Sequence, residues 1–243
     1  RVFFMNKIEK LIAEKGYLIA DGATGTNLFS MGLDSGHPPE LWNIEFPERI
    51  YLNHQNFVDA GSDLILTNTF GANRFRLALH KAENQVHELN LAGASIARKV
   101  ADLSERTVLV AGSIGPTGEI FEPLGTLSKT EAESAFTDQA IALKEAGVDL
   151  AWIETMSSQE EMESAIVASK NVGLPIVCTY SFDTHGKSMM GLEPKELVKL
   201  AEEHSPEIMG YGANCGIGAA ELIGSILCLT KSKKNHDMHI VAK

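Results

Sequence analysis

Cysteine is scarce, with three in 243 residues. So few exclude a disulfide scaffold and suit a reducing compartment such as the cytoplasm. Positive charge is short too: 21 Lys and Arg against 32 Asp and Glu, a net charge of −11. Such acidity argues against nucleic acid as a partner. No apolar run is long enough to span a membrane, and the apolar part of the opening RVFFMNKIEK is too short for a secretory signal. Met5 is a candidate start, with Arg1 to Phe4 an extension before it. The eight histidines form no HxH or HExxH pair; His54, His80, His87 and His204 fall on helix faces, while His236 and His239 flank the last apolar segment. Aromatics are only 7%, and frequent Gly and Ala suit close packing of helices on strands better than a β-sandwich.

What the chain does have is alternation. Seven short apolar segments recur: YLIADGA, DLILTNTF, TVLVAGSIG, DLAWIETM, PIVCTYSF, IMGYGANC and HIVAK. Amphipathic helical segments lie between them: PERIYLNHQNFVDAG closed by Gly61, a long zone from Arg74 to Leu103, KTEAESAFTDQAIALKEAG closed by Gly147, SQEEMESAIVASKNVG capped by Ser158, PKELVKLAEEH and AAELIGSILCLTKSK. A first helix, NKIEKLIAEKG, has Asn6 as N-cap with Glu9 three residues on. The strand segments are continuously apolar, so both faces are buried, as in a parallel sheet. Two architectures fit: an open doubly wound sheet and a (β/α)₈ TIM barrel. Asp21, Asn68, Ser113, Glu154, Ser181 and Asn214-Cys215 put a polar group at the C-terminal end of nearly every strand. A barrel gathers all such ends around one site, whereas an open sheet gathers only those at its switch point. The pattern predicts a barrel with about seven strands present, incomplete at the C-terminus, and one domain over residues 1–243.

Several residues carry chemistry on their own account. ADGATGT is Gly-rich but is neither GxGxxG nor a Walker loop, since no Lys-Ser/Thr follows. Asp21 either caps a tight turn or, with the nearby backbone amides, holds a small zwitterion. Glu154 lies in the apolar WIETM, where an ionised carboxylate needs a partner. That partner is a lysine or arginine of the barrel, or the ammonium of a substrate. The loop GSIGPTGEIFEPLGTLS is either a rigid surface loop or faces substrate. Trp42, in PPELWNIEFPE, is either a packing anchor or one wall of a cage for a methylated cation. Cys178 and Cys228 sit in apolar segments and read as buried structural thiols. Cys215 follows a strand directly; spacing alone makes it structural rather than a metal ligand.

In their order, DGATGT, DLILTNTFGAN, GSIGPTG, DLAWIETM and GANCG resemble the zinc- and homocysteine-dependent S-methyltransferases, a family that includes betaine–homocysteine methyltransferases and the homocysteine domain of methionine synthase. The resemblance runs from about Gly16 to the end and implies a (β/α)₈ barrel. It implies a zinc ion held by three cysteines, with Cys215 matching one of them. The other two form a Gly-Gly-Cys-Cys pair on the eighth strand, which this sequence lacks; the expectation is a truncated portion of a longer protein, inactive as it stands. The fourth ligand of the betaine enzymes, a tyrosine after the second strand, is here Gly71, which leaves Asn214 as the auxiliary ligand. By the same resemblance Glu154 binds the homocysteine ammonium, and Asp21 with the Gly22 backbone orients the amino acid. The implied reaction moves a methyl group from glycine betaine or a similar donor to the homocysteine thiolate, giving methionine; methylfolate and S-methylmethionine are alternative donors.

The implied partners are small molecules, with no nucleic acid and no membrane, and a homo-oligomer is left open. Two other classes compete: a non-catalytic homocysteine-binding remnant, and a barrel lyase or aldolase pairing Glu154 with a lysine. Against the latter, Lys243 is the one lysine at a predicted strand end.

Overall fold

A computed structural model describes residues 7–156, 158–233 and 237–243. The expectations placed on Met5, Asn6 and His236 lie outside these residues. Six strands form one parallel sheet: β1 (Leu64–Leu66), β2 (Leu109–Ile114), β3 (Leu150–Met156), β4 (Ile176–Tyr180), β5 (Ile208–Ala213) and β6 (His239–Ala242). They pair in chain order from β1 to β6, every pair parallel. A doubly wound sheet reverses its order at a switch point. This sheet does not, so the chain folds as part of a (β/α)₈ barrel.

The count differs from the expected seven strands. The segment YLIADGA contributes one bridge, Ala20 to Leu64, in place of a strand. The cause lies at Asp21. Its backbone N–H donates to Leu64 O at 2.9 Å, and its carboxylate then accepts the Leu66 N–H at 2.7 Å. A side-chain oxygen has taken the place of the next ladder carbonyl, so the ladder ends there.

The described residues form ten α-helices: α1 (Lys7–Lys15), α2 (Thr24–Ser30), α3 (Trp42–Glu45), α4 (Pro47–Asp59), α5 (Arg74–Ala78), α6 (Val86–Leu103), α7 (Lys129–Glu145), α8 (Gln159–Val172), α9 (Pro194–Glu203) and α10 (Ala219–Ser232); α4 and α6 to α10 lie against the sheet. The zone from Arg74 to Leu103 is broken: α5 ends at Ala78, Lys81 turns with φ +57°, and α6 starts at Val86. The helix starts are chemical. Ser128 and Glu131 form a capping box on α7, and Ser158 accepts the Glu161 N–H on α8. Gly173, at φ +78°, ends α8 in the left-handed region that favours glycine.

Alternate strand residues face two different cores, which explains the continuous apolar runs. Leu64, Leu66, Leu109, Ala111, Leu150, Trp152 and Val177 fill the barrel interior, closed at one end by Ile8 and Leu11 of α1. Ile65, Val110, Ala151, Ile153, Ile176 and Cys178 face the outer helices. Trp42, read in the sequence as a loop residue, lies in α3. The β5–β6 contact is tight: a Cβ added at Gly212 would lie 1.8 Å from the Val241 carbonyl oxygen. No helix of the described residues is long and apolar enough to cross a membrane.

Candidate functional site

A cavity of about 690 Å³ opens at the C-terminal ends of the strands. Gly22, Asn68, Ser113, Glu154, Cys215 and Lys243 are among the residues lining it. Polar bonds between neighbouring strand ends set its walls. Ser113 N–H donates to Thr67 Oγ1 at 2.9 Å, and Thr69 Oγ1 donates to Ser113 O at 2.8 Å. Asn68 Nδ2 donates to Pro39 O at 2.8 Å and to Asn43 Oδ1 at 2.9 Å. These bonds tie the segment after β1 to the end of β2 and to the Pro39–Asn43 region before any ligand arrives.

Two buried carboxylates face one ammonium. Glu154, 8% exposed, accepts the Ser113 hydroxyl at 2.6 Å. Asp21, 4% exposed, spends one oxygen on the Leu66 amide; the other has no hydrogen-bond partner. Lys243 Nζ lies 3.5 Å from that free oxygen, 3.8 Å from Glu154 and 5.9 Å from the centre of the Trp152 ring. At 3.5 Å the Lys243–Asp21 approach is an ion pair without good hydrogen-bond geometry, so the oxygen keeps its capacity for a better donor.

Burial pushes the Asp21 carboxyl up to about 6 from 3.8, against the lowering effect of Lys243 and of the Leu66 amide; Glu154 adds to the rise. The folded chain therefore holds this proton more tightly than the unfolded chain does. Stability is lost as pH rises from 3.8 through about 6, by roughly 3 kcal/mol at most. Asp21→Asn keeps an acceptor for Leu66 and removes the buried charge. At pH 7 it should stabilise the ligand-free protein by about 2 kcal/mol, raising Tm by about 5 °C. Thermal melts across pH check this: the gain should vanish below pH ~4, and a gain that persists there would sink the account.

Asn214 lies behind Cys215, 1% exposed. Its Oδ1 accepts the Thr155 N–H at 3.3 Å, while its Nδ2 donates to Thr155 Oγ1 at 2.8 Å and contacts Cys215 Sγ at 3.3 Å. Thr155 and Cys215 both adopt left-handed backbone, with φ +63° and +56°. The register of β3 on β4 slips between Ile153 and Met156, where Glu154 and Thr155 sit.

Trp42 does not line the cavity. It is 3% exposed, packed with Leu28, Leu33 and Ile50, edge-on to Phe46 at 5.3 Å and under the Arg49 guanidinium at 4.7 Å. That is the environment of a packing anchor. Glu40 fills the space beside Gly71, after β1. Its Oε1 accepts the Gly71 N–H at 2.6 Å and would lie 2.9 Å from a Cβ at that position. Burial raises the Glu40 pKa, tempered by its hydrogen bonds and by the charges of Arg76 and His80.

Among the described residues no three His, Cys, Asp or Glu side chains are disposed to hold a metal ion. Cys178 is buried, and burial pushes its thiol up to about 12. Cys228 is exposed on α10 and does not line the cavity. Cys215 is thus a single soft donor, and the described residues do not by themselves fit a zinc ion.

Sequence reasoning missed Thr155 and Glu40, and noted Lys243 only as the one lysine at a strand end. The last was a usable signal, because the structure brings that lysine to the two acids. Nothing in the letters marks the backbone of Thr155.

A family model described as homocysteine S-methyltransferase matches residues 18–243. The chain is 28% identical over 222 residues to the methionine synthase of Mycobacterium tuberculosis (strain ATCC 25618 / H37Rv), covering 84% of this chain and 18% of that protein. It is 27% identical over 231 residues to the methionine synthase of Mycobacterium leprae (strain TN), covering 88% and 19%. The chain therefore spans about a fifth of the length of these curated relatives. Among solved structures, the oxidized form of the homocysteine methyltransferase MmuM from Escherichia coli superposes with a TM-score of 0.81 at 24% identity, covering 98% of this chain and 85% of that one. The metallated form gives 0.79 at 25% identity, covering 94% and 84%.

Proposed function

Because the chain belongs to the homocysteine S-methyltransferase family, we propose that residues 1–243 are a single homocysteine-binding barrel domain that presents the homocysteine sulfur for methylation. One observation carries this: two buried carboxylates, Asp21 and Glu154, gather around an ammonium in a cavity that Cys215 also lines. The substrate ammonium takes the free oxygen of Asp21 and the Glu154 carboxylate, which is held in place by Ser113. The Gly22 backbone orients the amino acid, and the two-methylene side chain directs the sulfur toward Cys215.

The reaction is a displacement. A sulfur lone pair forms the new S–CH₃ bond, the bond from the methyl group to the donor breaks with its electron pair leaving on the donor, and the thiol proton passes to solvent. Glycine betaine or a similar methylated cation is the proposed donor, with methylfolate and S-methylmethionine as alternatives. Zinc, the proposed metal, would take Cys215 as one ligand and needs at least two more donors that the described residues do not supply. Asn214 is the auxiliary ligand that the resemblance suggests. The three free thiols suit a cytoplasmic setting.

Calorimetric titration with L-homocysteine, followed by methionine formation with each donor in turn, tests the proposal. Saturable binding of the L isomer and methionine from one donor are expected. No binding with or without donor and zinc sinks it. A second reading, a homocysteine-binding module without catalysis, is favoured by the lone cysteine at the cavity; binding without methionine from any donor would select it.

A further inference from the structure

The Asn214 amide is already committed. Its oxygen faces the Thr155 N–H, and its nitrogen faces the Thr155 hydroxyl and the Cys215 sulfur. Turning the amide over would set its NH₂ against the Thr155 N–H, donor against donor, so the hydrogen bonds fix its orientation. What Asn214 shows the sulfur is therefore an N–H and not an oxygen. Its own backbone N–H is bonded to Tyr180 O at 3.1 Å, which holds the residue on β4 as well.

Thr155 is β-branched and sits at φ +63°, a conformation such residues rarely adopt. Its amide and its hydroxyl both bond to the single Asn214 side chain, and this pair of bonds over-determines the strained backbone. The strain coincides with the register slip that places Glu154 at the cavity. At the other end of the link, Cys215 is also left-handed, at φ +56°, with its N–H on Lys243 O at 3.0 Å.

We propose that Thr155 and Asn214 form a clamp between the ends of β3 and β5 that sets the ammonium-binding Glu154 and the Cys215 thiol in fixed relation, with Asn214 acting as a positioning residue through its N–H donors and not as a metal ligand. This rests on the function proposed above for Glu154 and Cys215.

The test uses the protein as it occurs, carrying this chain at full length. Homocysteine affinity is measured for Asn214→Ala, which removes both bonds to Thr155 and should weaken binding by about tenfold; an unchanged affinity overturns the clamp. It is measured likewise for Thr155→Ala and Thr155→Ser. Alanine should weaken it by about fivefold and serine, which keeps the hydroxyl, by less than about twofold. Equal losses in both, or none in alanine, overturn the clamp.

Hydrogen exchange at the Thr155 amide separates this inference from the proposed function. If wild type does not take up homocysteine, the function fails while the clamp is still judged. Asn214→Ala should speed that exchange by about tenfold or more, and an unchanged rate overturns the clamp.

Discussion

Glu154→Gln should weaken L-homocysteine binding by about 100-fold and leave the protein folded. The substitution is nearly isosteric. The glutamine Oε1 can still accept the Ser113 hydroxyl, which lies 2.6 Å from the native carboxylate. What disappears is one of two negative charges facing the ammonium position, in a place only 8% exposed. A charge-assisted hydrogen bond in such a setting is worth roughly 1.5–3 kcal/mol, and losing it corresponds to about 10- to 150-fold. The upper part of that range applies, because Lys243, 3.8 Å away, is also left with Asp21 alone and competes with the substrate for it. Calorimetry with homocysteine and with 4-mercaptobutanoic acid, which lacks the amine, separates charge recognition from general damage. Homocysteine should lose affinity and the amine-free acid should not. Equal losses for both would remove Glu154 from ammonium recognition.

Gly212→Ala should cost more than about 4 kcal/mol and lower Tm by at least ~10 °C. The added methyl would stand 1.8 Å from the Val241 oxygen and 2.6 Å from its carbonyl carbon. These are backbone atoms of the paired strand, so no rotamer change relieves the overlap and β6 must move away from β5. With β6 goes Lys243, whose N–H donates to Ala213 O at 3.0 Å and whose carbonyl accepts the Cys215 N–H. The substitution should therefore damage the site as well as the sheet. Gly224→Ala in α10 is the control. Nothing lies within 4 Å of that Cβ, and alanine in a helix interior should stabilise by about 0.5–1 kcal/mol. Thermal melts of the two variants decide it; similar Tm values would refute the steric account.

Much of this architecture was legible because its causes are local. The apolar runs of β2 to β5 are continuous since each is covered on both faces, and Gly61, Gly147 and Gly173 stop their helices through positive φ. A polar residue at the end of nearly every strand distinguished the barrel from the open sheet. The rest was illegible where long-range geometry took over. YLIADGA has the composition of a strand, yet the Asp21 side chain replaces its ladder. The short helices α2 and α3 hide in Gly- and Pro-rich text, so Trp42 read as a loop residue. The strained Thr155 looks like any strand threonine. That the Lys243 side chain stands between two acids from elsewhere in the chain is a matter of reach.

Cys178 sits on β4, paired on both sides, fully buried, with its thiol pushed up to about 12 by burial. Cys215 and Cys228 are exposed. An alkylating reagent at neutral pH therefore counts two sulfurs in the folded chain and three once the middle of the sheet parts. The third modification advances with the frequency of that parting. One atom thus acts as a clock on the breathing of the sheet centre, and the other two calibrate the reagent in the same tube.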